Sequence, residues 1–145
     1  MFVVFDLDGT LADIEHRRHF VADDREDGPD WDAFFGACFD DTPKHEVISA
    51  LTAMLAAGHR VEIWSGRSDA VAIPTLQWLA QHGVDMNKVG IRMRQRYDYT
   101  PDEALKRSWI YHYGRPDIVF DDRDKVVAMW REEGVTCCQV APGDF

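Results

Sequence analysis

Two carboxylates, Asp6 and Asp8, stand two residues apart where the apolar run Phe2-Val3-Val4-Phe5 stops, within the string Asp6-Leu7-Asp8-Gly9-Thr10. That arrangement suits phosphoryl transfer. One carboxylate can attack phosphorus and share a metal, while the other, one step along a tight turn, can handle a proton. Gly9 lets the backbone turn sharply, and Thr10 adds a hydroxyl and an amide donor for a phosphate. Paired acids at a strand end usually just solvate a loop, so Asp-x-Asp alone says little. The complete string behind a strand is far more specific.

Two more polar groups end apolar runs in the same way. Ser65-Gly66-Arg67 follows Arg60 to Trp64, and Asp121-Asp122-Arg123 follows Ile118-Val119-Phe120. Ser-Gly-Arg at a strand end points to a phosphate or nucleotide contact, while Arg123 beside two aspartates equally suits a structural ion pair. Brought together, Asp6, Asp8, Asp121 and Asp122 would be four like charges needing a compensating cation. Oxygen-only ligands favour a hard ion, and Mg²⁺ is the natural choice.

The elements that would position these groups alternate. Phe2 to Phe5 reads as a strand buried on both faces. Val47, Ile48, Leu51, Met54 and Leu55 recur at helical spacing up to Gly58. Arg60 to Trp64 reads as a second strand, ending at Ser65-Gly66-Arg67. A helix follows through Thr75 to His82, with Pro74 in its first turn. Val89 to Ile91 reads as a short strand and Glu103 to Tyr113 as a helix. Ile118 to Phe120 reads as a strand, Asp124 to Glu133 as a helix, and Cys138 to Val140 as a last strand. This predicts an α/β fold: a mostly parallel, Rossmann-like sheet with helices on both faces, whose ligands bind beyond the carboxyl ends of the strands. Residues 13–45 break the alternation and predict a small insertion after the first strand. Trp31, Phe34, Phe35 and Phe39 fall near helical spacing there, as a packed helix or as a cover over the site. Trp31 is the aromatic placed to stack on a base, while Trp64, Trp109 and Trp130 read as core.

With 145 residues the chain predicts one domain, 1–145, and its net charge of −10 argues against an extended nucleic-acid surface. A small phosphorylated substrate or a strand end remains compatible, because local arginines decide that. The acidic run from Asp23 to Asp30 reads as a solvated loop. Cys38, Cys137 and Cys138 read as small packed residues rather than a disulfide framework. His16-x-x-His19 reads as a polar helical turn near the site. Met1 leads directly into the first strand without a basic leader, and no stretch is long enough to span a bilayer, so a cytoplasmic protein is expected.

These motifs resemble the haloacid dehalogenase-like (HAD) phosphatase superfamily, with Asp6 to Thr10, Ser65, Lys106 and Asp121-Asp122 in the order of its four motifs. A closer resemblance is to the phosphatase domain of phage-type polynucleotide kinase/3′-phosphatases. It is carried by Ser65-Gly66-Arg67, Asp121-Asp122-Arg123, Val126-Val127, Met129-Trp130-Arg131, Gly134-Val135, Cys137, Gln139-Val140-Ala141 and Gly143-Asp144-Phe145. The resemblance implies Asp6 as nucleophile, Asp8 as acid and then base, and Ser65 and Lys106 on the phosphoryl oxygens. Mg²⁺ would be held by the Asp6 carboxylate, the Asp8 backbone carbonyl, Asp121 and Asp122. Arg17, Arg94 and Asp102 fall, by spacing, where that domain has functional residues. No Gly-x-x-x-x-Gly-Lys-Ser/Thr phosphate loop is present, so no kinase half is expected. Two phosphatase readings stay open. One removes the 3′-phosphate of nucleotides or polynucleotide ends, and the other acts on 5′-deoxynucleotides or other small phosphates. A non-catalytic binding module is disfavoured because Asp6 and Asp8 are both intact.

Overall fold

The computed structural model describes residues 1–144; Phe145, the last residue of the C-terminal resemblance, lies outside the described residues. In chain order the strands are β1 (Phe2–Phe5), β2 (Ala12–Asp13), β3 (Thr42–Pro43), β4 (Arg60–Ser68), β5 (Val89–Arg94), β6 (Ile118–Asp121) and β7 (Thr136–Gln139). The helices are α1 (Trp31–Gly36), α2 (His45–Ala56), α3 (Ala72–Gln81), α4 (Asp102–Tyr113) and α5 (Asp124–Glu132), with short 3₁₀ turns at Glu15–Val21, Cys38–Asp40 and Asp69–Val71. Five strands form one parallel sheet in the order β5-β4-β1-β6-β7. The fold is the expected Rossmann-like α/β arrangement.

β1 is the central strand, and its apolar run is divided between two cores by the period of two of a strand. Val3 and Phe5 pack with Val47, Ile48 and Leu51 of α2 and Trp78 and Leu79 of α3. Val4 packs on the other face with Leu105, Trp109 and Ile110 of α4 and Val126, Met129 and Trp130 of α5. These helical residues recur at three- and four-residue spacing, which gives each helix one apolar stripe to bury. Each fully buried Val, Leu or Ile contributes about 1.5–3 kcal/mol, so the two cores fix the register of the strands. The register matters because it aligns the strand ends. Phe5 pairs with Ile63 on one side and Phe120 on the other, so Asp6, Ser65 and Asp121 emerge at one edge.

Two expectations are corrected. β4 does not end at Ser65-Gly66-Arg67 but runs through it to Ser68, still paired with β5. Ser65 pairs with Met93 and Ser68 with Arg94, so Gly66 and Arg67 are extra residues bulged out of the ladder, and the bulge re-aims their groups. The last strand lies at Thr136–Gln139, starting two residues and ending one residue earlier than expected, because its partner β6 holds Ile118 against Thr136. Residues 13–45 carry two 3₁₀ turns and α1, and a two-stranded ribbon of β2 and β3 closes the segment at its base. Its acidic loop is exposed where expected, and Asp30 ends it by capping α1, accepting from Ala33 N at 2.9 Å. Trp64 and Trp130 are fully buried and Trp109 nearly so, as expected. No helix of the described residues is long and apolar enough to cross a membrane.

Candidate active site

The carboxyl edge of the sheet gathers the acids. Asp6 is the first residue past β1, and its N–H donates to Phe120 O at 2.9 Å, extending the β1–β6 ladder by one rung. Asp121 ends β6, and Asp122 begins the turn into α5. Carboxylate oxygens of Asp6, Asp121 and Asp122 lie within 4.8 Å of one another. An all-oxygen set this close suits a hard divalent cation such as Mg²⁺, so the residues present fit the ion expected. Asp8 does not bring its carboxylate to this group; its side chain turns toward arginines.

Lys106 projects into the same cluster from the inner face of α4, with only 1% of its side chain exposed. Its ammonium donates to Asp6 Oδ1 at 2.6 Å and to Asp121 Oδ2 at 2.9 Å. Burial alone would strip its proton, but Asp121 and Asp6 more than offset that and hold its pKa well above the ordinary lysine value. Burial pushes Asp6 well above the usual carboxylate range, and Asp121 and Asp122 add to the rise against the pull of Lys106. Burial and then Asp121 raise Asp122 to about 6. Thr10, expected to donate to a phosphate, instead donates its hydroxyl to Asp122 Oδ1 at 3.3 Å and its N–H to Leu7 O at 3.2 Å. It therefore orients a carboxylate. Gly9 sits at φ 88°, and a Cβ there would lie 2.1 Å from Asp122 Oδ2, so the turn needs glycine both for its conformation and for the close approach of Asp122.

Asp8 belongs to a second cluster. Its Oδ1 accepts from Arg17 Nη2 at 2.7 Å and also from Arg67 Nη2. Both guanidiniums are shared with Asp41: Arg17 Nε and Nη2 reach its two oxygens at 2.6 and 2.7 Å, and Arg67 Nη2 lies 3.0 Å from Oδ2. The side chains of Arg17, Arg67 and Asp41 are all fully buried. Phe34 lies under the Arg17 guanidinium at 4.2 Å, and its carbonyl accepts from Nη1. Thr75 accepts from Arg67 Nη1 at 3.1 Å. Burial works to raise the Asp8 pKa, but Arg67 and then Arg17 overcome it, and the carboxyl is held below the usual range. Arg17 and Arg67, expected on the substrate, are thus placed behind Asp8. Arg67 Nε is buried without a hydrogen-bond partner.

A third group flanks these two. The bulge at Gly66 brings its backbone against Asp102, where a Cβ would lie 2.1 Å from Oδ1, so a side chain there would displace the Asp102 carboxylate. Arg94 Nε donates to Gly66 O at 2.8 Å, and Nη2 pairs with Asp102 Oδ1 at 3.2 Å. Arg123 Nη1 lies 3.6 Å from Asp102 Oδ2, which in turn is 3.9 Å from Lys106 Nζ. Ser65 is fully buried, and its Oγ accepts from Arg67 N at 3.1 Å. The candidate residues Asp6, Asp8, Thr10, Arg17, Ser65, Gly66, Arg67, Arg94, Asp102, Lys106, Asp121, Asp122 and Arg123 are thus linked through these contacts at one end of the sheet. Sequence reasoning missed Asp41, although the acidic pair Asp40-Asp41 ahead of Thr42-Pro43 was a signal. It also missed Lys44, whose ammonium donates to Gly9 O at 2.6 Å, and the indole of Trp130, which donates to Asp121 at 3.1 Å. His16 does lie near the site, with Nε2 2.8 Å from Asp41 Oδ1. Trp31 is 45% exposed but packs edge-on to Phe34 and stacks on Phe35.

Comparison with known proteins gives this edge a context. The family profile of the polynucleotide kinase PNKP phosphatase domain matches residues 1–145. A chain from a structure of the Pnkp1/Rnl/Hen1 complex is 30% identical, with a TM-score of 0.81, covering 99% of this chain and 46% of that one. A chain from the Pnkp1/Rnl/Hen1 RNA repair complex is 29% identical, with a TM-score of 0.79, covering 99% of this chain and 43% of that one. The present chain thus spans less than half the length of these two. The class C acid phosphatase from Bacillus anthracis shares the fold at 14% identity, with a TM-score of 0.64 over 98% of this chain and 66% of that one.

Proposed function

The chain belongs to the polynucleotide kinase PNKP phosphatase-domain family and is a HAD-type phosphomonoester hydrolase, and on that premise we propose that it removes the 3′-phosphate of nucleotides or polynucleotide ends through an aspartyl-phosphate. The observation that carries this reading is the pair of carboxylates with opposite electrostatics. Asp6 lies among acids with an ammonium at 2.6 Å, and Asp8 lies on two guanidiniums. Two carboxylates of one turn are thus held in separate settings, Asp6 where a cation fits and Asp8 clear of it, which suits separate roles as nucleophile and acid–base.

In the proposed reaction Asp6 Oδ attacks phosphorus, and the bond to the leaving sugar oxygen breaks. Asp8 gives that oxygen a proton, then takes one from the water that cleaves the acyl phosphate. Asp8 is an anion in the free protein, so its proton arrives with the substrate. A phosphomonoester brings negative charge beside it and raises its proton affinity. Lys106, a cation that stays charged, would hold a phosphoryl oxygen and offset the acids, with Ser65 on another. Asp6, Asp121 and Asp122, with the Asp8 backbone carbonyl, would hold Mg²⁺. The ion, when bound, supplies charge neutralisation that lets a carboxylate approach a phosphate dianion. Arg17, Arg67 and Asp41 would fix Asp8, and the 13–45 segment that contributes Arg17 and Asp41 is proposed as a fixed cap of a single 1–145 domain. The RNA-repair setting of the Pnkp1 relatives supports a nucleic-acid 3′ end as substrate. A 5′-deoxynucleotide remains the second reading, favoured by the acidic net charge of −10.

The substrate test is phosphate release, with and without Mg²⁺, from an aryl phosphate, 3′- and 5′-nucleoside monophosphates and a 3′-phosphorylated oligonucleotide. Preference for the 3′-phosphates is expected; preference for 5′-monophosphates would overturn the 3′ assignment. The metal test needs no substrate. Asp122 in the metal-free protein has a pKa near 6 against an ordinary 3.8, so at this group stability is greatest at low pH and is lost as pH rises through about 6. Buried Asp6, raised in the same direction, adds to the loss. Mg²⁺ is therefore expected to stabilise the fold by about 2.7 kcal/mol at a hundredfold excess over Kd, and to raise Tm more above neutrality than below pH 6. A Tm indifferent to Mg²⁺ at every pH would remove the metal from these residues.

A further inference from the structure

The segment 95–101, between β5 and α4, carries two tyrosines with little to bury them. Tyr97 is 72% exposed and Tyr99 79%. Tyr97 also has φ 67°, the one positive φ at a non-glycine among the described residues. Bulky side chains rarely hold that conformation, and it costs about 1 kcal/mol or more. Neither burial nor backbone preference accounts for an aromatic there. The segment is nevertheless well anchored. Arg94 Nη1 donates to Asp98 O at 3.1 Å and Thr100 O at 2.5 Å, while its Nε holds Gly66 O at 2.8 Å. Arg96 N donates to Asp69 Oδ1 at 2.9 Å, and Asp98 Oδ1 accepts from Thr100 N at 2.9 Å. The Arg96 guanidinium lies 4.8 Å over the Tyr97 ring. The same Arg94 pairs with Asp102, beside Lys106, so the segment is continuous with the proposed phosphate site.

We propose that Tyr97 and Tyr99, with Arg96 backing Tyr97, form a stacking platform for unpaired bases just upstream of a 3′-phosphate, so that the substrate is a single-stranded nucleic-acid end rather than a free nucleotide. The inference rests on the proposed 3′-phosphatase reading and adds to it the number of nucleotides engaged. Three observations select this occupant. Exposed aromatic faces next to arginines are the composition that single strands use, because every base offers a π-face and the cation adds to the ring contact. The platform is tied through Arg94 to Gly66 and to Asp102, which neighbours Lys106, so it borders the proposed phosphate site. It is also a local patch with its own arginines on a chain of net charge −10, which suits a short end and not a long duplex. Bases paired in a duplex cannot present these faces.

The test compares kcat/KM for a 3′-phosphorylated single-stranded oligonucleotide with kcat/KM for p-nitrophenyl phosphate, in Tyr97→Ala/Tyr99→Ala, Tyr99→Ala and Tyr97→Phe/Tyr99→Phe. One stacked base contributes about 5- to 150-fold in affinity. The double alanine variant should therefore lower the ratio of the two constants by tenfold or more, Tyr99→Ala by a smaller factor, and the phenylalanine pair should restore it. Tyr99 lies outside the left-handed position, so its variant reads the platform even if a change at Tyr97 alters the loop. A wild-type protein that prefers the oligonucleotide, with an unchanged ratio in all variants, overturns the platform and leaves the 3′-phosphatase reading standing. A wild-type protein inactive on the oligonucleotide but active on p-nitrophenyl phosphate overturns that reading, and the platform with it.

Discussion

Replacing Asp6 with asparagine is expected to lower turnover of every phosphomonoester by ~10⁴-fold or more, the scale seen when a nucleophile is removed and only binding remains, while Tm stays at or above that of the parent protein. The two halves of this expectation have different origins. The loss of turnover follows from the proposed role, since an amide oxygen does not form the aspartyl-phosphate. The retained stability follows from electrostatics. Burial already disfavours the Asp6 anion despite Lys106 at 2.6 Å. A neutral amide relieves that penalty and still offers an oxygen to the ammonium, which keeps Asp121 at 2.9 Å. Single-turnover phosphate release and a thermal melt on the same preparation check both halves. Turnover within tenfold of the parent would exclude Asp6 as nucleophile.

Asp41→Ala should fail in the opposite way, by losing the fold's margin. The Asp41 carboxylate serves both oxygens of a bidentate pair with Arg17 and a further contact with Arg67, and none of the three side chains reaches solvent. Removing it leaves Asp8 as the one remaining carboxylate against two buried guanidiniums. Breaking a buried pair on one side costs about 3–5 kcal/mol. For a domain of this size that is a fall in Tm of roughly 10–15 °C, taking a few degrees per kcal/mol. Thermal and urea melts read it directly, and Asp41→Asn, which keeps an acceptor, should fall between. A Tm within about 2 °C of the parent would mean that the arginines find other partners and that Asp41 does not hold them.

The sequence was legible wherever a functional residue ends a continuous apolar run. Asp6, Ser65 and Asp121 could be read that way because a strand buried on both faces has an unmistakable pattern, and parallel register then brings the strand ends together. Lys106 was invisible to pattern alone, since a lysine on an amphipathic helix normally faces water. Only its order among the motifs distinguished it, and the structure places it inward, one turn after Asp102 on α4. Asp41 escaped because it lies between a 3₁₀ turn and a two-residue strand, where no periodicity marks a buried side chain. The run of β4 through Gly66 and Arg67 escaped for a related reason. A bulge has no signature in residue type beyond its glycine, and a glycine after an apolar run equally suits the end of a strand. Tyr97 and Tyr99 sit in a polar segment whose anchoring comes from Arg94, several residues away, so only the folded chain gives them meaning.

The pairing of Arg17 and Asp41 with Asp8 and Arg67 also bears on the timing of catalysis. The 13–45 segment is fastened to the Asp8 carboxylate through Arg17 and to β4 through the contact of Asp41 with Arg67. Lifting it would take Arg17 from Asp8 and Asp41 from Arg67, breaking buried charge pairs on both sides at once. On the proposed reading of Asp6 and Asp8, that cost keeps the segment in place while substrate approaches. Capture of each substrate would then follow diffusion and charge, without a conformational clock between encounter and reaction.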